Sequence, residues 1–423
     1  MNSGDWAGRA LTAVTDRVAV TAAEVGDRFP LYADPLDGRW TTTGRGSWTG
    51  GFWAGLLWLR ARRTGAEADR AAAARCTDRL APWAAADTAT RGMIFWYGTA
   101  PALGTPAAAA LRAEAARACL DAYDPRAGVV PWGAALGGPR LLARADAVPG
   151  LVPLLAGAGP RGPGVAAAHL HRHLDLCLGG VREVAPSARR AGPAGSGACS
   201  RRAGRKASYW TRSVFRPVRR ERVPGVAGQA PLRGHPLGVG GAGRPGRPRP
   251  AWQFDAATGW QPREDPEPGW SRGEAWLLLA VADALLHPEV ARHRPDRLDR
   301  AAEQLLLHTG ALTGRLVPPD RASRPRGPLD TSAAAITAVA LLKLSRSRTP
   351  LAGACAPRAE AILRRLAGAH LTGPGPGRPA GMLLDGCYDA AKGLAVRHEL
   401  VWGDFFLALG LAALDGLVDL TRV

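Results

Sequence analysis

TSAAAITAVALLKL, residues Thr331–Leu344, decides the architecture of this chain. Its apolar residues recur at three-and-four spacing, as a helix requires, yet they cover almost the whole circumference and leave little polar face. RAAAARC (Arg70–Cys76) reads the same way. A helix apolar all round has to be covered on more than one side, so a second layer of helices must surround the first. Working outward, the same spacing predicts helices over 5–25, 50–63, 66–83, 104–122, 146–157, 163–180, 271–286, 296–310, 330–346, 356–370 and 400–419, with a twelfth near Ile94–Ala102. Strand-like alternation is scarce. Loops rich in Gly, Pro and aromatics, such as Asp124–Gly138 and Trp252–Gly269, separate the helices. Twelve helices in two concentric layers make an all-α (α/α)6 toroid, whose loops at one end can build a pocket.

Composition narrows the partners. Of 423 residues, 46% are hydrophobic, enough for a sizeable core. The start, MNSGDWAGRALTAVTDRVAV, lacks a basic stretch followed by an unbroken apolar run, and no apolar run of membrane-spanning length follows, so a cytoplasmic protein without a membrane span is expected. Cys76, Cys119, Cys177, Cys199, Cys355 and Cys387 show no metal or redox spacing and read as free thiols of a reducing compartment. His169, His171 and His173 share no acidic third ligand, so no metal or other cofactor is expected.

The net charge of +19 is unevenly spread. Residues 184–248 hold 14 Lys/Arg against one Glu, with 12 Gly and 8 Pro, whereas the other 358 residues hold 41 basic and 35 acidic groups. The basicity thus belongs to one low-complexity segment that interrupts a single domain of residues 1–423. Three readings of it stand: a basic insert that attracts nucleic acid or another polyanion, a disordered insertion without function, or GC-rich coding sequence read in a shifted frame, leaving a damaged gene product.

Fourteen Trp against seven Phe and five Tyr is a further bias. Trp53 and Trp58 read as core. Trp48, Trp132, Trp270 and Trp276 stand beside Gly, Arg or Ser at loop–helix junctions, where an indole can stack on the C–H face of a sugar.

Four motifs then carry a resemblance. SWTGGFWAGLLWL (Ser47–Leu59) resembles the WTSGFWPGxLWL segment of glycoside hydrolase family 88, the unsaturated glucuronyl hydrolases. GWSRGEAWLLLAVADAL (Gly269–Leu285) resembles that family's WARGQAWxLYG helix start, LDTSAAAITAVALLKL (Leu329–Leu344) its DSSAxAIxAxGLLEL helix, and LLDGCYDAAKGLAVRHELVWGDFFLALGLAAL (Leu383–Leu414) its closing LLHGCYxxxxGxxxDxELIWGDYYxxEAL segment. DPRAGVVPWGAALGGPRLLARADAVPGLVPLL (Asp124–Leu155) is similar to the stretch in which an aromatic loop precedes an Asp-led DTMMNLPLL helix. Asp146 and Phe254 lie 108 positions apart; without the 65 of the basic segment the interval is 43, close to the family pattern.

The resemblance implies a six-hairpin glycosidase that removes a 4,5-unsaturated uronic acid from the non-reducing end of an oligosaccharide by hydrating the C4=C5 bond. Asp146 takes the position of the family's general acid/base, where desolvation at the head of an apolar helix would favour its protonated form; on residues alone, without the resemblance, it reads first as a helix cap. Arg272 is expected to fork onto the uronate carboxylate, Trp48 and Trp132 to stack on the sugar with Trp270 and Trp276 beside it, and Thr331 or Ser332 either to bind hydroxyls or to cap a helix. The chain also departs from the pattern. Thr90 stands where the family's HDLGF motif has its second Asp, with Asp87 three residues earlier as a substitute, and QPREDPEP (Gln261–Pro268) replaces an HQG motif. A relative that binds sugar with impaired catalysis is therefore the alternative.

Overall fold

In the computed structural model, which describes residues 5–179 and 247–423, the chain forms α1 (Trp6–Val25), β1 (Phe29–Ala33), β2 (Trp40–Thr43), α2 (Gly50–Thr64), α3 (Glu67–Asp78), a wide π-type turn Gly92–Trp96 continued by α4 (Tyr97–Thr99), α5 (Pro106–Asp121), β3 (Leu142–Arg144), α6 (Leu151–Ala156) and α7 (Gly162–Leu178). After the basic segment come β4 (Ala251–Asp255), β5 (Gly259–Pro262), α8 (Ser271–Leu286), α9 (Pro288–Ala291), α10 (Pro295–His308), α11 (Thr331–Leu344), α12 (Ala352–Ala369), β6 (Gly386–Asp389), β7 (Leu394–Leu400) and α13 (Val401–Leu414). The segment 184–248 lies outside the described residues except for Arg247 and Pro248.

The helices pair as six hairpins, each an outer helix followed by an inner one. The inner ring runs α2, the Gly92–Thr99 turn, α6, α8, α11 and α13, each packed on the next, and α13 closes on α2. Outer α1, α3, α5, α7, α10 and α12 cover it. Burial follows the sequence pattern. In α8, α11 and α13 nearly every residue is buried. Outer α10 buries Leu298, Ala301, Ala302, Leu305 and Leu306, one stripe at helical spacing. RAAAARC departs from its expectation. It belongs to outer α3, which buries only Ala73, Cys76 and Thr77, because Ala is small enough to face water or protein with little penalty.

Inner helices approach closely where side chains are absent. A Cβ at Gly51 would stand 2.2 Å from the Ile94 carbonyl oxygen, and one at Gly55 would stand 2.5 Å from that of Tyr97. One helical turn apart on α2, these glycines seat it against the Gly92–Thr99 turn, which gives the GGFWAG motif its structural reason. The helix expected over 146–157 starts only at Leu151, since Gly150 takes a left-handed φ of 70° and breaks the run. The helix near Ile94–Ala102 is the wide turn and α4.

Two small antiparallel sheets, which the alternation pattern does not announce, sit among the connections. One has the order β2-β1-β7-β6, the other β3-β4-β5. The expected loop at Trp252–Gly269 is largely the β4–β5 hairpin, with Phe254 opposite Trp260. In the second sheet Arg144 faces Ala251, and the Ala145 N–H donates to Pro250 O at 2.9 Å. The Arg249 N–H donates to Cys177 O at 3.0 Å, so the two sides of the α7–β4 connection meet.

Gly51→Ala should force apart two inner elements at backbone atoms that cannot yield. A stability loss of about 1–3 kcal/mol in chemical denaturation is expected, and a wild-type midpoint would contradict the close approach.

Candidate active site

Loops and strand ends at the start of the inner helices surround an open cavity whose empty space, counting the solvent at its mouth, is about 870 Å³. Its walls include Trp48, Arg144, Asp146, Trp270, Arg272, Trp276, Asp320, Arg321, Tyr388, Asp389 and Lys392. Five of the seven residues singled out in the sequence thus share one cavity: Asp146, Trp48, Trp270, Trp276 and Arg272. Trp132 and Asp87 are not among its lining residues.

Asp146 lies in a short turn, Ala145–Ala147, directly after β3. It does not cap α6, whose preceding residue is Gly150 and which has no side-chain cap. Nor is it a lone carboxyl in an apolar niche. Arg144 grips it side-on, Nε to Oδ1 at 2.9 Å and Nη2 to Oδ2 at 3.2 Å, the two-pronged geometry that suits guanidinium and carboxylate best. The guanidinium also lies 5.2 Å from the centre of the Trp132 ring. Trp132 is therefore a backing for Arg144, and its Nε1 donates to Gly137 O.

Arg272 turns inward. Its Nη1 donates to Asp330 at 2.6 Å and to Cys387 O at 2.6 Å, and its Nη2 donates to Tyr388 O at 2.8 Å. Asp330 in turn caps α11, accepting from the Ser332 and Ala333 N–H groups and from the Ser332 hydroxyl, while the Thr331 hydroxyl donates to Leu384 O. Arg272, expected as the uronate fork, is thus held in a buried tie between α8, α11 and β6, while Ser332 serves the helix start and Thr331 ties it to the segment before β6.

Asp87 holds the Ala134 N–H and the Arg140 Nε, bracing the loop before β3. Thr90 is buried, its hydroxyl 2.9 Å from that of Thr88. Of the three histidines, His169 Nδ1 accepts from the Val130 N–H, His173 bonds to His169 O, and His171 bonds to His293 O. Burial pushes His173 down to about 4 and lowers His169 and His171, so all three are neutral structural groups near neutrality.

Arg144, Asp265, Asp320, Arg321, Tyr388, Asp389 and Lys392 also line the cavity, and none of them is among the residues singled out from the sequence. A signal existed for the last group, since GCYDAAKG lies inside a quoted motif. Tyr388 stands 3.4 Å from the Trp48 Nε1, and burial, its largest influence, pushes its hydroxyl up. Trp48 and Tyr388 in the cavity wall pack on the fully buried Trp402 behind them, with Trp48 and Trp402 centroids 4.9 Å apart. Each cavity cation has an acidic partner: Arg321 has Glu267 at 2.7 Å and Lys392 has Asp389 at 2.5 Å. Desolvation, opposed by Arg324 and Arg321, raises Asp320. Glu274, which lines a separate pocket with Arg247, takes the place of a Gln in the resembling motif and is pushed up to about 7 by desolvation.

No family model matches the chain, and no curated protein matches it. Solved structures do. Unsaturated glucuronyl hydrolase from Bacillus sp. GL1, described as responsible for the degradation of glycosaminoglycan, aligns at TM-score 0.69 and 19% identity over 97% of each chain. An unsaturated glucuronyl hydrolase specific for heparin aligns at TM-score 0.69 and 17% identity, covering 99% of this chain and 100% of that one. The Streptococcus agalactiae enzyme gives TM-score 0.69 at 14% identity, over 100% of this chain and 94% of that one. The six-hairpin (α/α)6 fold is shared from end to end.

Two stability tests follow. Asp330→Asn leaves the Arg272 charge buried without its counterion and should lower stability by about 3–5 kcal/mol in denaturant titration; a loss under ~1 kcal/mol would mean that the pair does not tie the ring. Glu274 binds its proton more tightly folded than unfolded, so its contribution is complete below its ordinary value of 4.5 and lost as pH rises through about 7. Glu274→Gln should flatten this fall, roughly 3 kcal/mol at most; matching pH profiles for variant and wild type would refute it.

Proposed function

We propose that the chain is a hydrolase of unsaturated uronides, a divergent relative of the unsaturated glucuronyl hydrolases, acting on the non-reducing end of oligosaccharides left by a polysaccharide lyase. One observation supports this above the others. Asp146, marked by the motif resemblance, shares an aromatic-walled cavity with Trp48, Trp270 and Trp276, in a ring of the same fold as three such hydrolases. Sugar rings stack on indole faces, and their hydroxyls find carboxylates and the Tyr388 hydroxyl nearby.

The chemistry follows from the vinyl ether in the substrate. Protonated Asp146 gives its proton to C4, and the C4=C5 electron pair becomes the new C4–H bond. The positive charge left at C5 is shared with the ring oxygen. Water attacks C5 and loses a proton to the Asp146 carboxylate, which regenerates the acid. The resulting hemiketal opens by cleavage of the bond from C5 to the ring oxygen, and the hemiacetal thereby formed at C1 expels the remaining sugar. A single carboxyl serves both proton transfers, so the paired carboxylates of ordinary glycoside hydrolysis are not needed. Asp87 and Thr90 stand outside the lining and take no part. A cytoplasmic setting belongs to the same proposal, supported by buried, unpaired Cys76, Cys119, Cys177, Cys355 and Cys387; among the described residues no helix is long and apolar enough to cross a membrane.

Unsaturated glucuronyl and galacturonyl disaccharides should lose their vinyl absorbance on incubation with the wild type. Asp146→Asn should lower the rate by roughly 10²–10⁴-fold. Disaccharide binding without turnover by the wild type would replace the hydrolase with a sugar-binding protein.

A further inference from the structure

The proposed function leaves the uronate carboxylate without a receiver, because Arg272 is engaged with Asp330 and two backbone carbonyls. The chemistry restricts where that receiver can stand. C4, which takes the proton, and C6, the carboxylate carbon, are both bonded to C5. The acid that reaches C4 and the cation that holds C6 are therefore immediate neighbours. Arg321 and Lys392 also line the cavity, but they are paired with Glu267 and Asp389 rather than with Asp146. Arg144 is the cavity cation in hydrogen-bond contact with Asp146, and its fork covers both oxygens of that carboxylate.

We infer that Arg144 is the receiver of the substrate's C6 carboxylate and that it releases Asp146 as it takes the substrate. This rests on the hydrolase reading above. In the free protein, both Asp146 oxygens accept from Arg144, and an acid that donates a proton needs one of them free. A uronate placed beside Asp146 with Arg144 unmoved would set two carboxylates against each other. If the guanidinium shifts to the newcomer, one two-pronged charge-assisted pair replaces another and the Asp146 oxygens turn to C4 and water. The support for Arg144 suits a short shift. Its Cα is fixed in register opposite Ala251 in β3, and the flat Trp132 face backs the guanidinium. Its side chain and that of Asp146 are 10% and 15% exposed, so the exchange takes place at the cavity wall. Exchange also makes the acid available only when a carboxylate-bearing sugar is present.

The test compares an unsaturated disaccharide with its C6 methyl ester, on wild type, Arg144→Gln and Arg144→Lys. Wild type should prefer the free acid in kcat/KM by roughly 10–100-fold. In Arg144→Gln that ratio should collapse towards one, whichever way the absolute rates move, with the change carried mainly by KM for the acid. Arg144→Lys keeps the charge without the fork and should give an intermediate ratio; it carries the same test if the Gln variant does not fold. A ratio unchanged from wild type in the folded variants would overturn the inference, since a merely structural Arg144 alters both substrates alike. Failure of the wild type on both substrates would instead overturn the hydrolase reading on which the inference rests.

Discussion

The Arg272–Asp330 pair is the contact on which the cavity depends. It sits at the start of two inner helices, where backbone groups lack helical partners and water is excluded. Asp330 supplies acceptors to α11, and Arg272 supplies donors to the carbonyls of Cys387 and Tyr388 on β6. A charge buried at such a place is tolerable only when paired and fully bonded, and here each partner completes the other. The result is a fixed junction of α8, α11 and β6, which carry Trp276, Ser332 and Tyr388 respectively. The SRGE and LDTS motifs therefore record an architectural requirement as much as a chemical one.

Electrically, the cavity is balanced rather than attractive. Arg144, Arg272, Arg321 and Lys392 each face a carboxylate held close by, so an arriving anion meets few idle positive charges. On the proposed reading, recognition of an acidic sugar in such a place would work by replacing an internal anion. This differs from a basic funnel, and it fits the observation that the described body of the protein carries charges in near-equal numbers. The hydroxyl of Thr90, in a position where a carboxylate is expected from the motif, lies outside this network, bonded to Thr88.

Much of the ring was legible beforehand. Residues such as Leu298, Leu305 and Leu306 at helical spacing mark an outer helix, and the unbroken apolar surface of Thr331–Leu344 marks an inner one. RAAAARC misled because alanine says little about which face is covered. The helix over 146–157 misled because one glycine backbone, at Gly150, outweighs apolar spacing. The strands escape notice because they are three to seven residues long and their burial does not alternate strictly, so a period of two cannot register. Asp146 was visible only through likeness to a family. Arg144 stands two positions away in the same string of letters, yet its grip depends on a turn that folds the chain back on itself, which spacing alone does not encode. Asp320, in the connection before α11, and Asp389, at the end of β6, lie far apart in sequence and line one cavity only in the folded chain.

The bond from the Arg249 amide to the Cys177 carbonyl has an evolutionary consequence. It joins the departure and return points of the α7–β4 connection at one place on the ring, so what lies between them is a detour that ends where it began. Closing a longer detour adds only about 0.6 kcal/mol for each doubling of its length. The toroid can therefore acquire, enlarge or shed sequence there while its hairpins stay in register, which makes this junction a natural port for grafting a foreign module onto the scaffold.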